Sequence, residues 1–206
     1  HGATVVLVDG GLTPPGGANA LAIPAPGAFE LSDGVNRLVV NCGAPVNPDR
    51  DWVRAARTTA ACSTAVIGDA SAGRFTRSAI VSHILGAPAI TGLERCEAEV
   101  DETSQGSLLK IIHDGYASRF GCWHERRIFL SACGQDLRGE DSFHLDEGRA
   151  THADFAIRFH LHPSVVVETD AEGVRLVTPG GRSWAFIARG GRLAVEPSIY
   201  LPDQTA

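Results

Sequence analysis

Apolar residues in this chain recur at every second position, in runs too short to be helices. Thr4 to Asp9, Arg37 to Cys42, Ser63 to Gly68, Ser107 to His113 and Arg127 to Ala132 carry Val, Ile or Leu in this way. So do Phe155 to His162, Val165 to Glu168, Val174 to Val177, Ser183 to Ala188 and Ala194 to Tyr200. An extended backbone alternates its side chains between two faces, so this pattern predicts strands. Turn signals separate them: Asp33-Gly34, Gly73, Asp114-Gly115, Gly134, Pro179-Gly180-Gly181 and Gly190-Gly191. With 23 Gly and 11 Pro in 206 residues, the chain is turn-rich. One short helix is predicted over Asp51 to Thr59, where Asp51 can cap and Val53, Ala56 and Ala60 share a stripe. No longer run has helical period, which disfavours βαβ units and a parallel sheet. The expected fold is all-β, an antiparallel multi-stranded β-sandwich. Pro14 to Pro26 reads as a surface loop, and the polar, acidic stretch Gln135 to Asp154 as a long connection between strands. No repeat or linker interrupts the chain, so residues 1–206 read as one domain.

Charge narrows the partners. Eighteen Lys and Arg against 24 Asp and Glu leave a net charge of −6, a poor match for the phosphate backbone of nucleic acid. Lys110 is the single Lys, so the basic residues favour bidentate contacts with carboxylate or phosphate. No apolar run approaches the roughly 18 residues that span a bilayer. Met is absent, so the chain is expected to be a piece of a longer protein. Its compartment is not written in these residues; periplasm is the favoured expectation and cytoplasm the alternative. The cysteines, Cys42, Cys62, Cys96, Cys122 and Cys133, are odd in number and include no CxxC, which excludes a zinc ribbon and predicts buried free thiols.

Three constellations could carry chemistry. The densest runs from His113 to Arg127 and holds two His, a Tyr, three Arg, an Asp and a Glu in fifteen residues. His113 ends an apolar strand, and a strand-to-loop junction fixes a side chain while leaving it accessible. Arg would pair with the carboxylate or sulfate of an acidic polysaccharide, and Tyr or His would move protons. The plain alternative is a polar hairpin with solvated charges. The second constellation is Phe159-His160-Leu161-His162-Pro163, where two His two apart share one face, as metal ligands in a cupin-like sandwich do. A polar outer strand face reads equally from the same spacing. The third is Arg57 to Thr64, where Cys62 sits beside hydroxyls, followed by Asp69 and Arg74. Without a nucleophile elbow, a reactive Cys62 would need a base from a remote His.

Taken in order, these segments resemble the bacterial heparinase II/III-like proteins. The resemblance is carried by Thr4 to Asp9, Phe29 to Ser32, Arg37 to Gly43, Ala56 to Thr64 with Asp69, the HDGYASRFGCWHERRIFLS stretch from His113, Gly139-Glu140-Asp141, Phe155 to Pro163 and Glu196 to Leu201. It implies a C-terminal β-sandwich domain of a polysaccharide lyase, whose complete members add an N-terminal helical toroid facing it across a cleft. The reaction it implies is β-elimination on an acidic, uronate-containing polysaccharide, in which a base removes the C5 proton and the O4 leaving group is protonated. The partners so implied are that polysaccharide and the helical domain, with no nucleic acid and no membrane. Carried onto this chain, the catalytic candidates are Cys62, His113 and Tyr116, and the substrate-binding candidates are Arg119, His124 and Arg126. His113, Asp69 and Cys62 are the candidates to hold a metal, with zinc the cofactor to consider.

One departure bears on activity. Cys62 stands where the resemblance leads us to expect His, and a thiol with an unperturbed pKa of about 8.5 is a weaker proton shuttle than imidazole at about 6.5. The leading expectation is therefore the lyase β domain, inactive in isolation. The second is a non-catalytic glycan-binding or scaffolding module whose parent has lost lyase chemistry.

Overall fold

The computed structural model describes residues 3–44, 50–85, 87–149, 151–170 and 173–201. The chain opens with β1 (Thr4–Val8), β2 (Phe29–Asp33) and β3 (Asn36–Val40), then α1 (Arg50–Ala56), β4 (Ala65–Ile67), β5 (Arg74–Phe75), α2 (Ala79–Leu85) and β6 (Ile90–Thr91). A long antiparallel meander follows: β7 (Cys96–Thr103), β8 (Gly106–His113), the single turn α3 (Ala117–Phe120), β9 (Cys122–Ser131) and β10 (Leu137–Leu145). The chain ends with β11 (Phe155–Ile157), β12 (His160–Leu161), β13 (Val166–Asp170), β14 (Gly173–Val177) and β15 (Ser183–Phe186).

The fold is all-β, in several antiparallel sheets, as the alternation predicts. One four-stranded sheet runs β1-β2-β3-β12, a second runs β10-β9-β8-β7, and β13-β14-β15 form a third. All three contribute to one core. Phe29, Leu31, Leu38 and Val39 come from the first sheet, Ile128 from the second, and Val174 and Leu176 from the third. Alternation makes this possible: β2 buries Phe29, Leu31 and Asp33 while Glu30 and Ser32 lie outward. Leu38 is fully buried, and truncating such a residue to Ala typically costs about 2–5 kcal/mol. The third sheet is tied on by the buried Asp33, which receives Arg182 Nη1 at 2.7 Å and Trp184 Nε1 at 3.2 Å.

Several expectations need correction. Gln135 to Asp154 is not a plain connection, because β10 occupies its first half. β7 is a strand beyond the expected set: Cys96, Ala98 and Val100 alternate with Glu97, Glu99 and Asp101, but the apolar side is small and Glu97 to Thr103 are exposed. Phe155 to His162 is split. Ala156 pairs with Val66 of β4, and His160 pairs with Val40 of β3, so the chain changes sheet between them. The expected helix over Asp51 to Thr59 stops at Ala56 and gives way to a 3₁₀ turn over Thr59–Ala61. A further short helix, α2, lies outside the one stretch expected to be helical. Ala194 to Tyr200 is not a strand but an exposed strap, fastened at its end by a parallel bridge from Leu201 to Gly43. Of the cysteines, Cys42, Cys62 and Cys122 are buried as expected, whereas Cys96 is half-buried and Cys133 exposed.

Gly43 makes that fastening possible. Its φ is +80°, and a Cβ there would run into the Leu201 carbonyl oxygen. Gly43→Ala is expected to release the strap at a cost of about 1–3 kcal/mol. Tryptic cleavage at the exposed Arg189 and Arg192 should then accelerate while the remaining core stays protected.

Candidate functional site

Of the residues singled out from His113 onward, His113, His124 and Arg126 meet on the inner face of the β8-β9-β10 sheet. Register explains why. His113 of β8 lies opposite His124 of β9, and Arg126 of β9 lies opposite Asp141 of β10. His124, Arg126 and Ile128 share one face by alternation, and Ile128 belongs to the core. The polar groups are therefore carried inward with the apolar ones.

Inside, they satisfy one another. The Gly115 backbone N–H donates to His113 Nδ1 at 3.2 Å, so His113 must carry its proton on Nε2. That Nε2–H donates to His124 Nδ1 at 3.0 Å. His124 in turn donates from Nε2 to Asp141 Oδ1 at 2.7 Å. Arg126 grips the same carboxylate with two nitrogens, Nε to Oδ1 at 2.7 Å and Nη2 to Oδ2 at 3.0 Å. Its Nη1 donates to the carbonyl oxygens of Gly27 and Ser63, both at 2.9 Å. A backbone donor at one end and a carboxylate at the other thus set the direction of every proton in the chain. Phe143 stacks on His124 with centroids 5.3 Å apart.

Electrostatics follow from this enclosure. Burial, reinforced by neighbouring His124 and Arg126, pushes His113 down to about 3. Burial also lowers His124, outweighing its bond to Asp141. Burial alone would raise Asp141, but the hydrogen bonds and charges of His124 and Arg126 hold its carboxyl below the usual range. Neither imidazole can take a second proton without facing an existing N–H.

Tyr116 completes the cluster. It is buried, its hydroxyl donates to the Ala65 carbonyl at 2.8 Å, and its ring lies 5.8 Å from that of His113. Burial pushes its phenol well above the ordinary value. The loop that brings it there is tight. A Cβ on Gly115 would sit 2.6 Å from the Ala72 carbonyl oxygen, and Asp114 Oδ1 accepts the backbone N–H groups of Glu94 and Arg95.

The other candidates stand apart. Arg119 is exposed, its guanidinium 6.0 Å from the Phe120 ring centroid. Asp69 is exposed on a left-handed turn with φ +50°. Cys62 is buried among Ala25, Ala28 and Ile23, and desolvation pushes its thiol up to about 12. Both ring nitrogens of His113 are engaged in hydrogen bonds, and among the described residues no three His, Cys, Asp or Glu side chains are grouped as a metal site. His160 and His162 do not converge on a metal either. His160 donates Nε2–H to the Ala60 carbonyl at 2.9 Å and turns Nδ1 to Ser198, while His162 Nδ1 bonds Ser164. Asp141 and Phe143 are site residues outside the sequence candidates, although Asp141 belongs to the Gly139-Glu140-Asp141 motif. The alternation Leu137, Gly139, Asp141, Phe143 was the available signal.

Thiol chemistry tests this picture. Cys133 is exposed, and hydrogen bonds from Ser131 and the Gln135 backbone lower its thiol. Iodoacetamide is expected to modify Cys133 at least about tenfold faster than Cys62, which should react only on unfolding.

Comparison with known proteins agrees with the motif reading. The chain is 35% identical over 208 residues to FtsZ-localized protein C of Caulobacter vibrioides (strain NA1000 / CB15N), covering 97% of this chain and 35% of that protein. It therefore spans about a third of that relative's length. No solved structure matches. Residues 1–206 match the family described as heparinase II/III-like, C-terminal, and the chain belongs to it.

Proposed function

We propose that this chain is a non-catalytic scaffolding module of a longer heparinase II/III-like protein, one that supplies structure and contacts rather than elimination chemistry. The observation that carries this reading is the saturation of the His113–His124–Asp141–Arg126 network. A general base needs a free lone pair within reach of a substrate proton, and here each ring nitrogen is engaged inside the fold. Cys62 offers no substitute, because a buried thiol pushed up to about 12 stays protonated at neutral pH. The name of the relative, FtsZ-localized protein C, speaks of where that protein resides, and a scaffolding role at such an assembly suits a domain without a free base.

The second reading is the lyase itself, acting on an acidic polysaccharide by β-elimination with its base and acid supplied by the rest of the parent chain. Membership of the heparinase II/III-like family favours it. The parent protein incubated with heparan, heparin or alginate separates the two. The scaffolding reading expects no rise in the ultraviolet absorbance of unsaturated uronate, in the wild type or with Cys62→His. Turnover by the wild type establishes the lyase reading, and turnover gained only with Cys62→His identifies a decayed lyase.

A further inference from the structure

We propose that the free edge of β1, together with the groove at its carboxyl end, docks one extended segment of a partner protein, apolar at alternate positions and carrying Lys or Arg at its amino end. None of the residues used for the functional reading above takes part.

β1 is the outermost strand of its sheet, so one side of its backbone has no strand partner among the described residues. Its sequence, Thr4-Val5-Val6-Leu7-Val8, holds no charge and no Pro, and its register with β2 runs without a bulge. Val5 and Leu7 point outward, 50% and 63% exposed. Proteins ordinarily guard such an edge with charges, bulges or Pro. The edges of the neighbouring sheet are guarded in that way: β7 carries Glu97, Glu99, Asp101 and Glu102, and β10 carries Arg138 and Glu140. The β1 edge is left open and apolar, which is the arrangement that accepts an added strand.

The groove supplies the polarity of that strand. Just past β1, Asp9, Leu12, Ala18, Leu21 and Ile23 line a depression of about 340 Å³. Leu12 and Leu21 are 49% and 85% exposed. Asp9 is the single charged residue of the lining. One of its oxygens accepts the Gly11 N–H at 3.1 Å, and among the described residues no cation pairs with it. Partial burial raises its pKa, as expected for a carboxylate that lacks a counter-charge. Every strand pair in this sheet is antiparallel. A segment continuing the pattern places its amino end beside Asp9, where Lys or Arg would complete the pair. A second copy fits less well. Two β1 strands centred on Val6 would set Asp9 opposite the uncharged Ala3 of the other copy.

The test uses the 206-residue chain and a labelled peptide of alternating valine and threonine with two arginines at its amino end. Binding is read by fluorescence anisotropy, and the contact is located by hydrogen exchange. The expected result is saturable binding that slows exchange across residues 4–9 and weakens about tenfold or more with Leu7→Lys. Glutamates in place of the arginines should weaken binding about tenfold to the wild type and leave binding to Asp9→Asn unchanged. Three results overturn the proposal: no binding at millimolar peptide, equal affinity for Leu7→Lys, or a concentration-dependent dimer abolished by Leu7→Lys. The last would make a second copy the occupant of the edge.

Discussion

Asp141→Ala is expected to destabilise the domain by about 3–5 kcal/mol, the range for breaking a buried ion pair and leaving one charge uncompensated. Asp141 is the acceptor for both the His124 ring and the Arg126 fork. Without it, the 3%-exposed Arg126 side chain keeps only its bonds to the Gly27 and Ser63 carbonyls, and the last proton of the chain has no acceptor. Natural domains are stable by only about 5–15 kcal/mol, so a loss of this size removes a large share of the margin. The urea midpoint, followed by tryptophan fluorescence, measures it. Arg138→Ala is the control. Its pair with Asp136 is exposed on both sides, and no change in midpoint is expected. An unchanged midpoint for Asp141→Ala would show that the fold does not depend on the network, and would reopen a chemical role for it.

The second large effect is pH dependence. His113 ordinarily titrates near 6.5 in an unfolded chain and is held down to about 3 in the fold. Between these values the unfolded state binds the extra proton and the native state does not. Stability from this group is therefore fully present above about pH 6.5 and is lost as pH falls toward 3. The loss amounts to about 2 kcal/mol at pH 5 and about 3 kcal/mol at pH 4. Urea midpoints between pH 7 and 4 should fall accordingly. His113→Gln can accept from the Gly115 N–H and donate to His124 without titrating, so its midpoint should vary less with pH. If the variant retains the full slope of the wild type, the pH dependence arises elsewhere.

The non-catalytic reading and these two predictions share one physical cause. A polar network sealed beneath a sheet can be strongly stabilising when every member is satisfied, and for the same reason it has nothing left to offer a substrate. Arg126 extends that network beyond its own sheet, reaching the loop at Gly27 and the Ser63 carbonyl beside Cys62. Two of the motifs that carry the family resemblance, His113 to Arg127 and Ala56 to Thr64, are thus joined by one guanidinium. Their residue types suit a fold determinant as well as an active site, which is why composition alone left both readings open.

The sequence by itself determined the class of fold and the family. Short period-two runs between Gly and Pro turns specify antiparallel strands, because alternation of side chains is a property of the extended backbone and needs no tertiary information. The expected strand begins at Arg127, and only the structure extends it back to Cys122, which sets His124 and Arg126, two residues apart, on a common face of β9. Only the tertiary structure decided that this face is the inner one, and that the partner of both residues is Asp141 of β10. Hydrophobic patterning marks Leu137 and Phe143 on that strand but gives no reason to bury a carboxylate between them. β10 presents to the interior a carboxylate whose burial is made favourable by Arg126 and His124, groups that come from elsewhere in the chain. The same holds for Cys62, which lies one residue from a carbonyl that Arg126 grips. Its thiol is shielded because Ala25, Ala28 and Ile23 close over it, a contact between segments some 35 residues apart that no local pattern encodes.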